Sequence, residues 1–181
     1  YAGQPERWIP IRDHLRRNFV AYLRENGRTA TEADCAWFER TYNERHAEQC
    51  HLFPDAIPAV QRVRAADRHV GLLTDVDEKF VRIILDAVRL APLLDSVTTS
   101  EAVGVGKPNP KIFHAALATA GCAPEEAVLV GDSRTRDVAG AKAVGMLTLH
   151  LHRTGDPDPA AGLSARTLAE AGDILQGILD G

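Results

Sequence analysis

"AVLVGDSRTRDVAGAKAVGM" (residues 127–146) is an apolar run that stops at Gly131 and Asp132, adds a second carboxylate at Asp137 and continues into small residues at helical spacing. An uninterrupted apolar run of this length, with no polar alternation, reads as a strand buried on both faces. Such strands occur in parallel sheets, where ligands sit beyond the carboxyl ends of the strands. A strand that hands its end to two carboxylates therefore marks both a sheet and the rim where chemistry would take place.

Working outward, "HVGLLT" (69–74) is a second buried strand ending in polar residues, preceded by a helix through Val60 and Val63 that Asp55 can cap. A helix over 77–90 follows, then a short strand "SVTTS" (96–100) and a helix from Pro110 to Ala120. After the opening strand come a helix over 134–144, a strand "MLTLHLH" (146–152), the loop "RTGDPDPAAG" (153–162) and a helix over 166–179. Strands alternating with helices predict an α/β fold, a doubly wound parallel sheet of Rossmann type with both faces covered. The first 52 residues have another texture. Trp8, Ile11, Leu15, Phe19, Tyr22 and Leu23 recur at helical spacing over 7–26 and stop at Gly27, and Thr31 with Asp34 forms a capping box before a helix reaching His46. The expected division is an all-helical unit over 1–52 and an α/β core over 53–181.

Composition bounds the function. The chain has 181 residues, 45% hydrophobic and 25% charged, enough for one globular core with a small attached unit. Its net charge of -4 offers no basic footprint for nucleic acid, and no apolar run approaches the roughly 18 residues of a membrane span. Three widely spaced cysteines, Cys35, Cys50 and Cys122, fit a reducing compartment better than a disulfide framework, so the expected location is the cytoplasm.

Three strand ends carry polar chemistry: Thr74, Asp75 and Asp77 after "HVGLL", Lys107 in "GVGKPNP", and Asp132, Ser133 and Asp137 after "AVLVG". Each has a plain alternative. Thr74 alone reads as a strand-end hydrogen bonder, Lys107 as a solvated loop lysine and Asp132 as a helix cap. Together, a hydroxyl, an ammonium and two carboxylates at one rim can hold a phosphate through a hard cation such as Mg²⁺, which takes carboxylate oxygen and water. The context "GKPNP" strengthens that reading, because Asn109 can cap and Pro110 can start the next helix.

These segments resemble the haloacid dehalogenase-like hydrolase superfamily: "LLTD" its second motif, "GKPNPKIF" its third and "VLVGDSRTRDVAGAKAVGM" its fourth. The resemblance runs from about Phe53 to His152, and the leading helices are similar to the family's helical cap. It implies that Thr74, with Asp75 and Lys107, binds the phosphoryl group of a small phosphorylated substrate. It further implies that Lys107 neutralises nucleophile and phosphate, that Asp132 coordinates Mg²⁺ and that Asp137 supports the metal directly or through water. The Gly131–Asp132 pair favours the phosphatase branch over the metal-independent dehalogenases; a non-catalytic phospho-ligand or protein-binding relative is the alternative.

One piece is absent. The family's first motif, a central strand ending in Asp-x-Asp, carries the nucleophile, and nothing precedes the helical unit here. Asp75 and Asp77 have the spacing, yet using them leaves no second motif before Lys107; Asp13 after "WIPI" lacks a carboxylate two residues on, and Pro10 would break a central strand. The expectation is a first core strand upstream of Tyr1, with a preparation that starts at Tyr1 inactive, and strands 70–74 and 127–131 not paired to each other.

Overall fold

The computed structural model describes residues 9–156 and 162–179. Trp8 and residues 157–161 of the expected loop lie outside that range. Helix α1 (Ile11–Glu25) and helix α2 (Glu32–Gln49) form an antiparallel hairpin. The turn between them follows from local chemistry. Asn26 caps α1, Gly27 takes a left-handed φ of 72°, and Thr31 and Asp34 close the expected capping box, with Asp34 N–H donating to Thr31 Oγ1 at 3.1 Å and Thr31 N–H to Asp34 Oδ2 at 2.9 Å. Phe19 stacks on Phe38 with ring centroids 4.3 Å apart, and Leu23 and Cys35 are buried behind them.

Helix α3 (Ala56–Ala65) leads into strand β1 (Gly71–Thr74), helix α4 (Glu78–Ala87) and strand β2 (Ser96–Thr99). Strand β2 ends one residue earlier than expected, because Thr99 turns to cap a single helical turn α5 (Ser100–Val103) through Ala102 N–H. Helix α6 (Pro110–Ala120) starts as read from sequence, with Asn109 accepting from Lys111 N–H and Pro110 in the first turn. Strand β3 (Val128–Gly131) follows, then a π-type turn over Arg134–Val138 and helix α7 (Ala139–Ala143) where one continuous helix was expected. Strand β4 (Leu147–Leu151) precedes a short strand β5 (Leu163–Ala165), which the sequence did not reveal, and helix α8 (Leu168–Leu179).

All pairings are parallel, in two groups: β1 beside β2, and β3 beside β4 beside β5. No ladder joins β1 to β3 among the described residues. The apolar residues of the two strands that flank that break, Leu72, Leu73, Leu129 and Val130, are only half-buried, whereas Ile112, Phe113, Ala141 and Leu149 are fully buried. Phe113 bridges the groups by packing against Gly140, where an added Cβ would lie 2.6 Å from its ring, so only glycine permits the approach. The hairpin rests on α4, with the Tyr42 and His46 rings against Phe80 at centroid distances of 5.7 and 5.0 Å.

Asp55 was expected to cap α3. It sits at the cap position but accepts no cap bond there; its carboxylate accepts from both Arg153 terminal guanidinium nitrogens, at 2.8 and 3.1 Å, and from the Leu168 N–H at 2.7 Å. A bidentate charged partner and a free N–H at the start of α8 outcompete a local backbone bond. No helix among the described residues is long and apolar enough to cross a membrane.

Candidate active site

Thr74 is the last residue of β1, Asp75 the first of the loop beyond it, and Lys107 lies in the turn after α5. The Lys107 N–H donates to Asp75 Oδ1 at 2.8 Å, which ties the two loops together. The Lys107 ammonium reaches across the break between the two strand groups: Nζ donates to Asp137 Oδ1 at 2.7 Å and approaches the Leu73 carbonyl at 3.4 Å. Side-chain exposures of 10% for Lys107 and 6% for Asp137 make this a buried ion pair. Its worth lies less in stability than in the position it imposes, because removing either partner leaves an uncompensated charge.

Asp137 reaches the strand end by way of the π-type turn, which Ser133 caps by accepting from Arg136 N–H at 3.2 Å; the cap that was the plain alternative for Asp132 is thus made by its neighbour. The turn folds the Asp137 carboxylate back over Gly131, and its Oδ2 accepts from Ser133 N–H at 3.0 Å. A Cβ on Gly131 would fall 2.5 Å from Asp137 Cβ, so the glycine is there to let the carboxylate lie flat on the strand end. Both Asp137 oxygens are thus engaged by protein groups.

Asp132 and Thr74 differ from that pair. Asp132 is exposed, and neither its carboxylate nor the Thr74 hydroxyl has a protein partner among the described residues. The Asp132 carbonyl lies 3.2 Å from His150 Nε2, which steadies the backbone while the side chain stays available. Arg136, not singled out from sequence, pairs with Asp75 Oδ2 at 3.1 Å and supplies a second cation at this rim. Asp77, grouped with Thr74 and Asp75 from its sequence position, instead directs its buried carboxylate to the start of α1. Spacing alone marked Asp77 as chemically interesting, but no local pattern could show where its partners lie.

The donors suit a hard cation. Among the described residues no three His, Cys, Asp or Glu side chains converge as a metal cage. Mg²⁺ is commonly held by one or two carboxylates, with waters and substrate phosphate completing its shell. The partner-free carboxylate of Asp132 is of that kind, and Asp137 beside it could act through water.

The model of the family described as haloacid dehalogenase-like hydrolase matches residues 9–150. The chain belongs to the haloacid dehalogenase-like hydrolase family. It is 32% identical over 142 residues to the glyceraldehyde 3-phosphate phosphatase of Methanopyrus kandleri, covering 76% of this chain and 59% of that one. It is 36% identical over 118 residues to the phosphoserine phosphatase of Thermus thermophilus, covering 65% and 47%. This member of the haloacid dehalogenase-like family thus spans about half the length of the curated relatives it matches. Among solved structures, the family phosphatase from Thermococcus onnurineus superimposes with a TM-score of 0.72 at 32% identity, covering 91% of this chain and 81% of that one.

Proposed function

We propose that the complete protein is a Mg²⁺-dependent phosphatase of a small phosphorylated metabolite. The observation that carries this reading is the buried Lys107–Asp137 pair at the same rim as a hydroxyl and a carboxylate, Thr74 and Asp132, that no protein group engages among the described residues. The phosphatase relatives support the reaction class, and it is the Gly131–Asp132 pair that favours phosphoryl over haloacid chemistry.

In this reading the Thr74 hydroxyl and the Lys107 ammonium bind the phosphoryl oxygens, and Asp75 holds the Lys107 loop so that Nζ stays at the rim. Asp137 orients Nζ, with Ser133 N–H fixing the carboxylate from the other side. Asp132, and Asp137 through water, would hold Mg²⁺, which when bound offsets charge on the transferring phosphoryl group. Positioning and electrostatics of this kind supply most of the catalysis in phosphoryl transfer.

The nucleophile in this proposal belongs to a further strand seated between β1 and β3, outside residues 1–181. Support comes from the β1 and β3 edges, which are unpaired among the described residues, from the half-buried leucines on these two strands, and from strands that all run in one direction. Unsatisfied ladder groups in the middle of a core are costly against a net stability of about 5–15 kcal/mol. An aspartate oxygen from that strand would attack phosphorus as the P–O bond to the leaving group breaks and the alcohol takes a proton. Water, deprotonated by a second aspartate, would then cleave the acyl phosphate to release inorganic phosphate. The helices α1 and α2 act as the cap that selects the ester.

The test is phosphate release from a panel of small phosphate esters by the full-length protein, with and without Mg²⁺. Turnover should require the metal, and Asp132→Asn should abolish it while circular dichroism remains that of the wild type. Wild-type rates in Asp132→Asn would overturn the assignment.

A further inference from the structure

Helix α1 begins at Ile11 behind Pro10, whose side chain cannot cap it. The first two amides of the helix, which have no acceptor of their own in the coil, are nonetheless satisfied. Ile11 N–H donates to Asp77 Oδ1 at 2.8 Å and Arg12 N–H to Asp77 Oδ2 at 2.9 Å, from a carboxylate 66 residues away that is 4% exposed. Asp77 stands at the N-cap position of its own helix α4 and makes no cap bond there. That vacancy is filled from a third element: Glu101 accepts from Glu78 N–H at 2.7 Å. Arg12 joins the two carboxylates, in an ion pair with Glu101 and 3.6 Å from Asp77 Oδ2.

The caps are therefore exchanged. The residue placed to cap the core helix caps the hairpin instead, and a glutamate from α5 caps the core helix. Two residues before Asp77, and on the same loop, Asp75 holds the Lys107 backbone and Arg136. We propose that Asp77 is a positioning residue, which seats the α1–α2 hairpin against the end of β1 so that the hairpin's placement and that of the phosphate-binding loop are set together. This rests on the reading of Thr74, Lys107 and Asp132 as a phosphate site. A carboxylate spanning two free amides at a helix start binds both with charge-assisted bonds and complements the helix dipole, so the contact is directional. Tyr42 and His46, in the half of α2 that lies beside the start of α1, pack on Phe80 three residues beyond Asp77. Ring packing supplies area at this end of the hairpin, and Asp77 supplies its directional contact.

The experiment compares Asp77→Ala and Asp77→Asn in the full-length protein by site-resolved amide hydrogen exchange and by phosphate-ester kinetics. Ile11 and Arg12 should exchange at least tenfold faster in Asp77→Ala while amides of β3 and β4 keep their wild-type rates. Asp77→Asn, which keeps one acceptor oxygen, should fall between. In the kinetics, KM for the preferred ester should rise at least tenfold in Asp77→Ala with a smaller change in kcat, and Asp77→Asn should recover part of it. Unchanged exchange at Ile11 and Arg12 in either variant overturns the proposal. Faster exchange with wild-type KM overturns it as well, reducing Asp77 to a stability contact. A wild-type protein that hydrolyses no phosphate ester would instead refute the proposed function, and the exchange arm would still decide whether the latch exists.

Discussion

Replacing Gly131 with alanine would drive a methyl group into the Asp137 carboxylate. The new Cβ would lie 2.5 Å from Asp137 Cβ, 2.6 Å from its Cγ and 2.7 Å from Oδ2, where ordinary contact begins at 3.4 Å, so Asp137 must retreat by about 0.9 Å. It has little room, since Oδ1 is held by Lys107 at 2.7 Å and Oδ2 by Ser133 N–H at 3.0 Å. A retreat of that size lengthens one bond or the other past hydrogen-bonding range. Overpacking costs about 1–3 kcal/mol, and breaking a buried ion pair about 3–5 kcal/mol. With partial relaxation the expected loss is about 2–4 kcal/mol, which for a chain of this size lowers Tm by about 4–16 °C. Urea unfolding followed by circular dichroism measures the loss directly. In Asp137→Gly, which removes the clashing Cβ together with the carboxylate, the methyl has space, so adding Gly131→Ala to that variant should cost less than about 0.5 kcal/mol more. A Gly131→Ala protein as stable as the wild type to within about 0.5 kcal/mol would refute the claim that the glycine exists to admit Asp137.

The Asp55 carboxyl is held below its usual value of 3.8, chiefly by its hydrogen bonds from Arg153 and also by the Leu168 N–H, against a smaller opposing effect of burial. Its contribution to stability is therefore present at neutral pH and lost as the pH falls through its folded value. The stability gap between wild type and Asp55→Asn in urea titrations should accordingly close below pH 3.8. A gap that stays constant to lower pH would contradict the pairing. Thr31→Ala opens the capping box of α2 and should cost about 0.5–2 kcal/mol in the same assay, with the change confined to the hairpin in amide exchange; protection that falls equally in β4 would argue against a local cap.

What could be read in advance was what neighbouring residues decide. "AVLVG" declares a buried strand by itself, Thr31 and Asp34 are three residues apart, and Asn109 and Pro110 state the start of α6 within two positions. The candidate site was legible because its members stand at strand ends, and a parallel sheet brings strand ends to one rim. Partners far apart in the chain were not legible. Asp55 looks like a cap and serves Arg153, 98 residues on; Asp77 looks like strand-end chemistry and serves the start of α1. The three residues of β5 are too few to show a period, and nothing in "RTRDV" distinguishes a π-type turn from ordinary helix until Asp137 is seen to need the extra residue to reach Lys107. The bonds of Asp137 to Lys107 and to the Ser133 N–H were not legible either, because one partner comes from another strand end and the other is backbone.

The central claim is that one rim, built from three strand ends, binds an oxyanion and a hard cation together. A crystal structure of the full-length protein grown with Mg²⁺ and orthovanadate, a phosphoryl mimic, tests it most directly. The account predicts a metal ion ligated by Asp132 and an oxyanion within hydrogen-bonding distance of the Thr74 hydroxyl and the Lys107 ammonium, with the Lys107–Asp137 pair intact. Metal or vanadate bound elsewhere at saturating concentration, with this rim empty, would contradict it.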